Sequence, residues 1–116
     1  MIYKRGSLRK HEEIKQRILR NPMLIGLDKS RIIHVETEYP LIKKKRPIAQ
    51  PDIMFEYKIG NHIRLMFVEV KSGSCRRAVQ DLEFQLRKVE RFLHRKNIEG
   101  DVLGVYGNGL NVLTVD

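Results

Sequence analysis

The chain has 116 residues, 41% hydrophobic and 32% charged, and its 23 Lys and Arg against 14 Asp and Glu give a formal net charge of +9. That length suits one domain over residues 1–116 around a single core, and the positive excess favours a polyanionic partner. The lone Cys75 excludes an internal disulfide framework and suits a reducing, cytoplasmic setting; with no membrane-length apolar run and no signal-peptide pattern, neither a membrane partner nor export is expected.

Residues 1–10 place Lys4, Arg5, Arg9 and Lys10 around Gly6-Ser7. Ser7 predicts the N-cap of a helix over 7–20, which Asn21-Pro22 stops. On that helix Leu8, Ile14, Ile18 and Leu19 define the buried side, Glu12 falls at its margin and Glu13 points away. Both glutamates would also suit a first helical turn, where negative charge complements the helix dipole. A strand is expected over 31–39, with His34, Glu36 and Glu38 on one face and Ile33, Val35 and Thr37 on the other. The loop over 41–50 carries Lys43, Lys44, Lys45 and Arg46 ahead of Pro47. Four adjacent cations there point to phosphate contact, which positions a nucleic-acid backbone without reading its sequence.

The stretch over 50–71 organises the rest. Two runs rich in β-branched, aromatic and apolar residues, 51–58 and 62–71, flank Gly60-Asn61, and Gly at the first central position is what a two-residue type II′ turn requires. With that turn Ile59 faces His62, so Asp52 falls directly opposite Glu69 and Lys71 points to the same face. Two carboxylates held that close repel unless something positive lies between them. A hard divalent cation such as Mg²⁺, which takes one or two carboxylates and leaves other positions to water and phosphate oxygens, answers that need. A lysine beside it can orient an attacking water and offset charge on a phosphate. Asp52, Glu69 and Lys71 therefore propose metal-assisted phosphodiester hydrolysis.

Ser72-Gly73-Ser74 breaks the strand, and residues 76–96 read as an amphipathic helix with Val79, Leu82, Leu86, Val89 and Leu93 as its buried stripe. Gln85 lies at the edge of that stripe. Arg76 and Arg77 open the helix where cations oppose the dipole, a placement that suits phosphate binding better than stability. Phe84 falls opposite the stripe and suggests a dimer or substrate contact. Strands over 101–106 and 110–115 around Gly107-Asn108-Gly109 close the chain. The expected order is α-β-β-β-α-β-β.

Pro51-Asp52 followed by Glu69-Val70-Lys71 on the next strand resembles the PD-(D/E)xK nuclease superfamily. The resemblance implies an α/β, restriction-endonuclease-like αβββαβ core, a mixed central sheet flanked by helices, with one extra strand here. It also implies a metal-dependent DNA endonuclease using Mg²⁺, with Mn²⁺ able to substitute. Asp52 and Glu69 would bind the metal with the Val70 carbonyl, and Lys71 would assist the nucleophile. Glu12 would complete the metal site from the first helix, with Glu36 and Glu38 as competitors, and Gln85 matches a glutamine that several member families carry. Lys4-Arg5-Gly6-Ser7 ahead of a Glu-bearing helix looks most like the archaeal Holliday junction resolvases, homodimers acting on branched DNA in recombination and repair. When the helices are aligned by their apolar residues, His11 takes the glutamate's place. Arg5, Lys43 to Arg46, Arg76 and Arg77 would cradle the DNA. Competing readings are a nickase, flap or end-processing or viral replication nuclease of the same superfamily, a non-catalytic nucleic-acid-binding module, and a basic protein-interaction module.

Overall fold

The computed structural model describes residues 2–43, 46–107 and 110–115, and of residues 2–8, 43 and 46–48 it describes the backbone alone. Among the described residues seven strands and two long helices follow in the order α1 (Ile2–Arg20), β1 (Ile32–Thr37), β2 (Leu41–Lys43), β3 (Arg46–Ala49), β4 (Ile53–Ile59), β5 (His62–Lys71), α2 (Arg76–Arg95), β6 (Gly100–Tyr106) and β7 (Asn111–Leu113). Two short 3₁₀ turns, Pro22–Ile25 and Lys29–Arg31, link α1 to β1.

The main sheet has the order β1-β4-β5-β6-β7. It is mixed: β1, β4 and β5 run antiparallel in turn, β6 lies parallel to β5, and β7 returns antiparallel to β6. A parallel neighbour needs a crossover, and α2 supplies it. β5 is thus the central strand, and its apolar residues Phe67, Val68 and Val70 are buried, as expected for a strand covered on both faces. Alternation along β4 and β5 feeds two cores. Ile53, Phe55, Tyr57, Val68 and Val70 pack with Ile14 and Ile18 of α1, while Met54 and Phe67 pack with Leu82, Leu86, Val89, Phe92 and Leu93 of α2. Helix α2 sits so close to the sheet that a Cβ on Gly104 would lie 2.9 Å from side-chain atoms of both Leu82 and Leu86.

The β4–β5 register is the one the turn predicts, from Ile59↔His62 to Ile53↔Val68. Gly60 has a φ of 59° and Asn61 is not in the left-handed region, as a type II′ turn asks. Other expectations need correction. Helix α1 begins at Ile2, so Ser7 is not its cap; a single Gly6 inside a helix costs only about 1 kcal/mol relative to Ala. Glu12 and Glu13 therefore lie past the middle of α1, whose first turn carries no acid. β1 starts after a turn capped by Asp28, whose Oδ1 accepts from the Ser30 N–H at 3.0 Å, and it ends where Glu38 takes a φ of 54°. The stretch expected as a loop over 41–50 forms the β2–β3 hairpin. In α2 it is Ala78 and Phe92 that join the buried stripe, while Val79 is only half-buried.

Candidate functional site

The polar cluster forms where the β4–β5 ladder ends. Each odd-numbered residue of β4 turns its backbone groups to β5, because Ile59 and His62 close a two-residue turn. The next partner for the Val70 N–H would be the Pro51 carbonyl. That carbonyl instead accepts from the Tyr39 N–H at 3.2 Å, and the Asp52 carbonyl accepts from the Glu38 N–H at 3.0 Å. The chain has turned toward the end of β1, and the Asp52 side chain takes over: its Oδ2 accepts from the Val70 N–H at 2.6 Å. In return the Asp52 N–H donates to Glu69 Oε1 at 3.3 Å. Asp52 and Glu69 are thus locked into one backbone frame, as the register predicts.

Their electrostatics are unbalanced. Glu69 is 6% exposed, and its carboxyl is pushed up to about 8. Burial does most of this and the neighbouring Asp52 charge adds to it, while the Asp52 N–H and the His11 charge oppose it without cancelling it. Of the two carboxyls it is therefore Glu69 that burial biases toward the protonated form.

Helix α1 answers from the other side. His11 Nε2 lies 3.1 Å from Asp52 Oδ1, and that hydrogen bond raises the imidazole against the opposing effect of burial. One turn on, the buried Lys15 places Nζ 3.0 Å from Glu12 Oε2 and 3.5 Å from Glu38 Oε1. Burial lowers Lys15, but the Glu12 hydrogen bond and charge, helped by Glu38, outweigh it and the net shift is upward. Glu38 is in turn held by the Gln50 Nε2 donating to its carbonyl at 2.9 Å. His11, Ile14, Lys15 and Ile18 follow i, i+3, i+4, i+7 spacing, so one stripe of α1 both packs the core and reaches the cluster.

The sequence-predicted residues divide accordingly. Asp52, Glu69 and the Val70 backbone come together. Glu12 does not join them: it is exposed, and hydrogen bonds from Lys15 and then Gln16 hold its carboxyl below the usual range. It is His11, not Glu12, that reaches the pair from α1. Glu36 and Glu13 are exposed away from the pair, and Glu36 lies 3.6 Å from His34. Lys71 ends β5 half-buried, with no side-chain partner among the described residues. Gln85 lies midway along α2, exposed, and no hydrogen bond among the described residues links it to the cluster. Arg76 and Arg77 are exposed in the first turn of α2, behind a Cys75 N-cap that makes no side-chain cap bond. Phe84 is 63% exposed. Lys44 and Lys45, and the side chains of Arg5, Lys43 and Arg46, lie outside the described residues.

Lys15 was not legible as a site residue, since a lysine in an amphipathic helix reads as solvent-facing. Its signal was its place four residues after His11 in the Ile14/Ile18 stripe.

Among the described residues no group of three or more His, Cys, Asp or Glu side chains converges as a metal cage. The donor chemistry nonetheless fits a hard divalent ion, which needs only one or two protein carboxylates. Two carboxyl groups share one frame, and burial together with the neighbouring Asp52 charge raises Glu69. No helix among the described residues is long and apolar enough to cross a membrane. No family model matches the chain, no curated protein matches its sequence and no solved structure matches its fold.

Proposed function

We propose that the chain is a divalent-cation-dependent endonuclease that hydrolyses phosphodiester bonds in DNA, on a restriction-endonuclease-like core. The observation that carries the reading is the buried Glu69 beside Asp52 at the end of the central strand, with its carboxyl raised to about 8. Strongly perturbed carboxyls of this kind, desolvated and paired with a like charge, concentrate at functional sites. The element order supports it: setting aside β2–β3, α1-β1-β4-β5-α2-β6 with β6 parallel to β5 is the αβββαβ order of the PD-(D/E)xK superfamily, and β7 is the extra strand.

Asp52, Glu69 and the Val70 carbonyl would hold Mg²⁺ or Mn²⁺, with His11 in the place expected for Glu12. When bound, the ion would polarise the phosphate and stabilise charge on the departing oxygen. Asp52 is fixed for this role by the Val70 N–H and His11, so its carboxylate needs no reordering. Glu69 must give up its proton, which couples ion binding to pH. Lys71, on the same strand face as Glu69, would hold the attacking water in line with the breaking P–O bond. Arg76, Arg77 and the basic run over 43–46 would grip the backbone through charge. Without a base-reading motif, selectivity would rest on nucleic-acid shape, as in a junction resolvase or a flap-processing enzyme.

A second reading starts from the net charge of +9 and from Lys71, which has no side-chain partner among the described residues to hold it toward the pair: a nucleic-acid-binding module that keeps the fold without cleaving. Incubating the protein with labelled four-way junction, flap, nicked, duplex and single-stranded DNA, with Mg²⁺, Mn²⁺ or EDTA, separates them. Cleavage abolished by EDTA and by Asp52→Asn and Lys71→Ala is expected. Salt-sensitive binding without cleavage of any substrate would replace the first reading with the second.

A further inference from the structure

β1 is an edge of the main sheet, and residues 33–37 are all exposed. Met54 and Glu56 of β4 turn their backbone groups to β1, where they face Glu36 and His34. Val35 and Thr37 therefore direct N–H and C=O outward, along the open edge. No backbone hydrogen bond beyond the ladder engages residues 33–37 among the described residues. Natural sheets guard such an edge with lysine, proline or a bulge; residues 32–37 contain neither lysine nor proline, and the register shift between Ile32 and His34 leaves 34–37 regular. The usable stretch is bounded by the register shift between Ile32 and His34 and by the left-handed Glu38. Its midpoint is Val35.

We infer that this edge pairs antiparallel with β1 of a second copy of the chain, about a two-fold axis through Val35. In that register Val35 meets its own counterpart as a hydrogen-bonded pair. His34 meets the partner's Glu36 as a non-hydrogen-bonded pair, the kind whose side chains approach most closely. An imidazole N–H donor then faces a carboxylate twice across the axis. Centring the axis on Glu36 would set two carboxylates against each other, and centring it on His34 would stack two imidazoles, so the side chains select the Val35 register. Ile33 and Val35, 51% and 37% exposed, lose contact with water as the strands meet. The two five-stranded sheets run on as one, and the contact is self-complementary as a two-fold interface must be. The inference rests on the edge alone and holds whether or not the chain cleaves nucleic acid.

Sedimentation velocity across a concentration series tests it. The wild type is expected to pass from monomer to dimer. His34→Glu, which faces the partner's Glu36 with a second carboxylate, should weaken association about tenfold over the two pairs. Combining His34→Glu with Glu36→Lys should restore it. Val35→Pro removes an outward N–H and should give a folded monomer by circular dichroism. As a check that needs no destabilising change, Val35→Cys in a Cys75→Ser background should oxidise to a disulfide dimer faster than Ile63→Cys in the same background. A wild type that stays monomeric throughout, or a dimer indifferent to His34→Glu and without preferential Val35→Cys cross-linking, would overturn the inference.

Discussion

The two ends of the β4–β5 hairpin carry polar clusters of opposite character. Near the turn, Tyr57 donates to Asp101 Oδ2 at 2.6 Å, and Arg64 Nη2 to Asp101 Oδ1 at 3.2 Å, tying β4, β5 and β6 together. The guanidinium meets the Asp101 carboxylate, with the largely exposed and solvent-screened Glu99 3.9 Å away, and the buried phenol, raised by burial and then by Asp101, has its acceptor. At the other end two carboxyl groups share a frame with His11 at one edge, and the more buried of them is pushed up to about 8 by burial and by the Asp52 charge. The strands and the sheet are the same, so the difference lies in charge balance. A balanced cluster joins strands; an unbalanced one leaves room for a cation.

Activity should separate the ends most widely. Glu69→Gln should lower cleavage by about 10²-fold or more while leaving salt-sensitive DNA binding intact, whereas Tyr57→Phe should leave the rate within a few-fold. Equal losses in single-turnover cleavage assays would erase the distinction.

The pH dependence of stability comes next. Glu69 titrates near 8 when folded and near 4.5 when unfolded, so between those values the native state holds a proton that the unfolded chain has released. Stability should therefore fall as pH rises from about 4.5 to about 8, by up to a few kcal/mol. His11, also raised on folding from 6.5, adds to the same slope above that value. Urea denaturation at several pH values should show this decline, and Glu69→Gln should flatten it.

Titrating Mg²⁺ or Mn²⁺ at pH 7 sharpens the contrast further. Loading the pair requires Glu69 to ionise, so calorimetry in buffers of different ionisation enthalpy should detect proton release, with a rise in Tm. Neither should occur in Glu69→Gln, and both should survive in Tyr57→Phe. The smallest effect belongs to the balanced end, where Tyr57→Phe removes one donor to Asp101 and should cost about 1–2 kcal/mol in chemical denaturation.

The hairpin at the heart of the site was legible because its determinants are local. Gly60-Asn61 sets the turn, and a period of two carries that register to Asp52 and Glu69 with no further information. The α2 stripe at Leu82, Leu86, Val89 and Leu93 and the exposure of Phe84 were legible for the same kind of reason. The β2–β3 hairpin was not, because its basic and proline-containing run carries neither apolar alternation nor a tight-turn pair. The outward-facing edge of β1 emerged only with the sheet order, since a strand's own residues do not say which of its sides has a neighbour.

The sequence by itself determined that Asp52 and Glu69 stand opposite each other, since adjacent antiparallel strands joined by a two-residue turn have one register. Tertiary structure alone decided which groups answer them. Successive residues on a helix are rotated by about 100°, so the docking of α1 on the sheet selects between His11 and Glu12. That docking also buries Lys15 against Glu12 and Glu38. Charges separated in sequence acquire their balance, or lack it, only when packing brings them into one low-dielectric space.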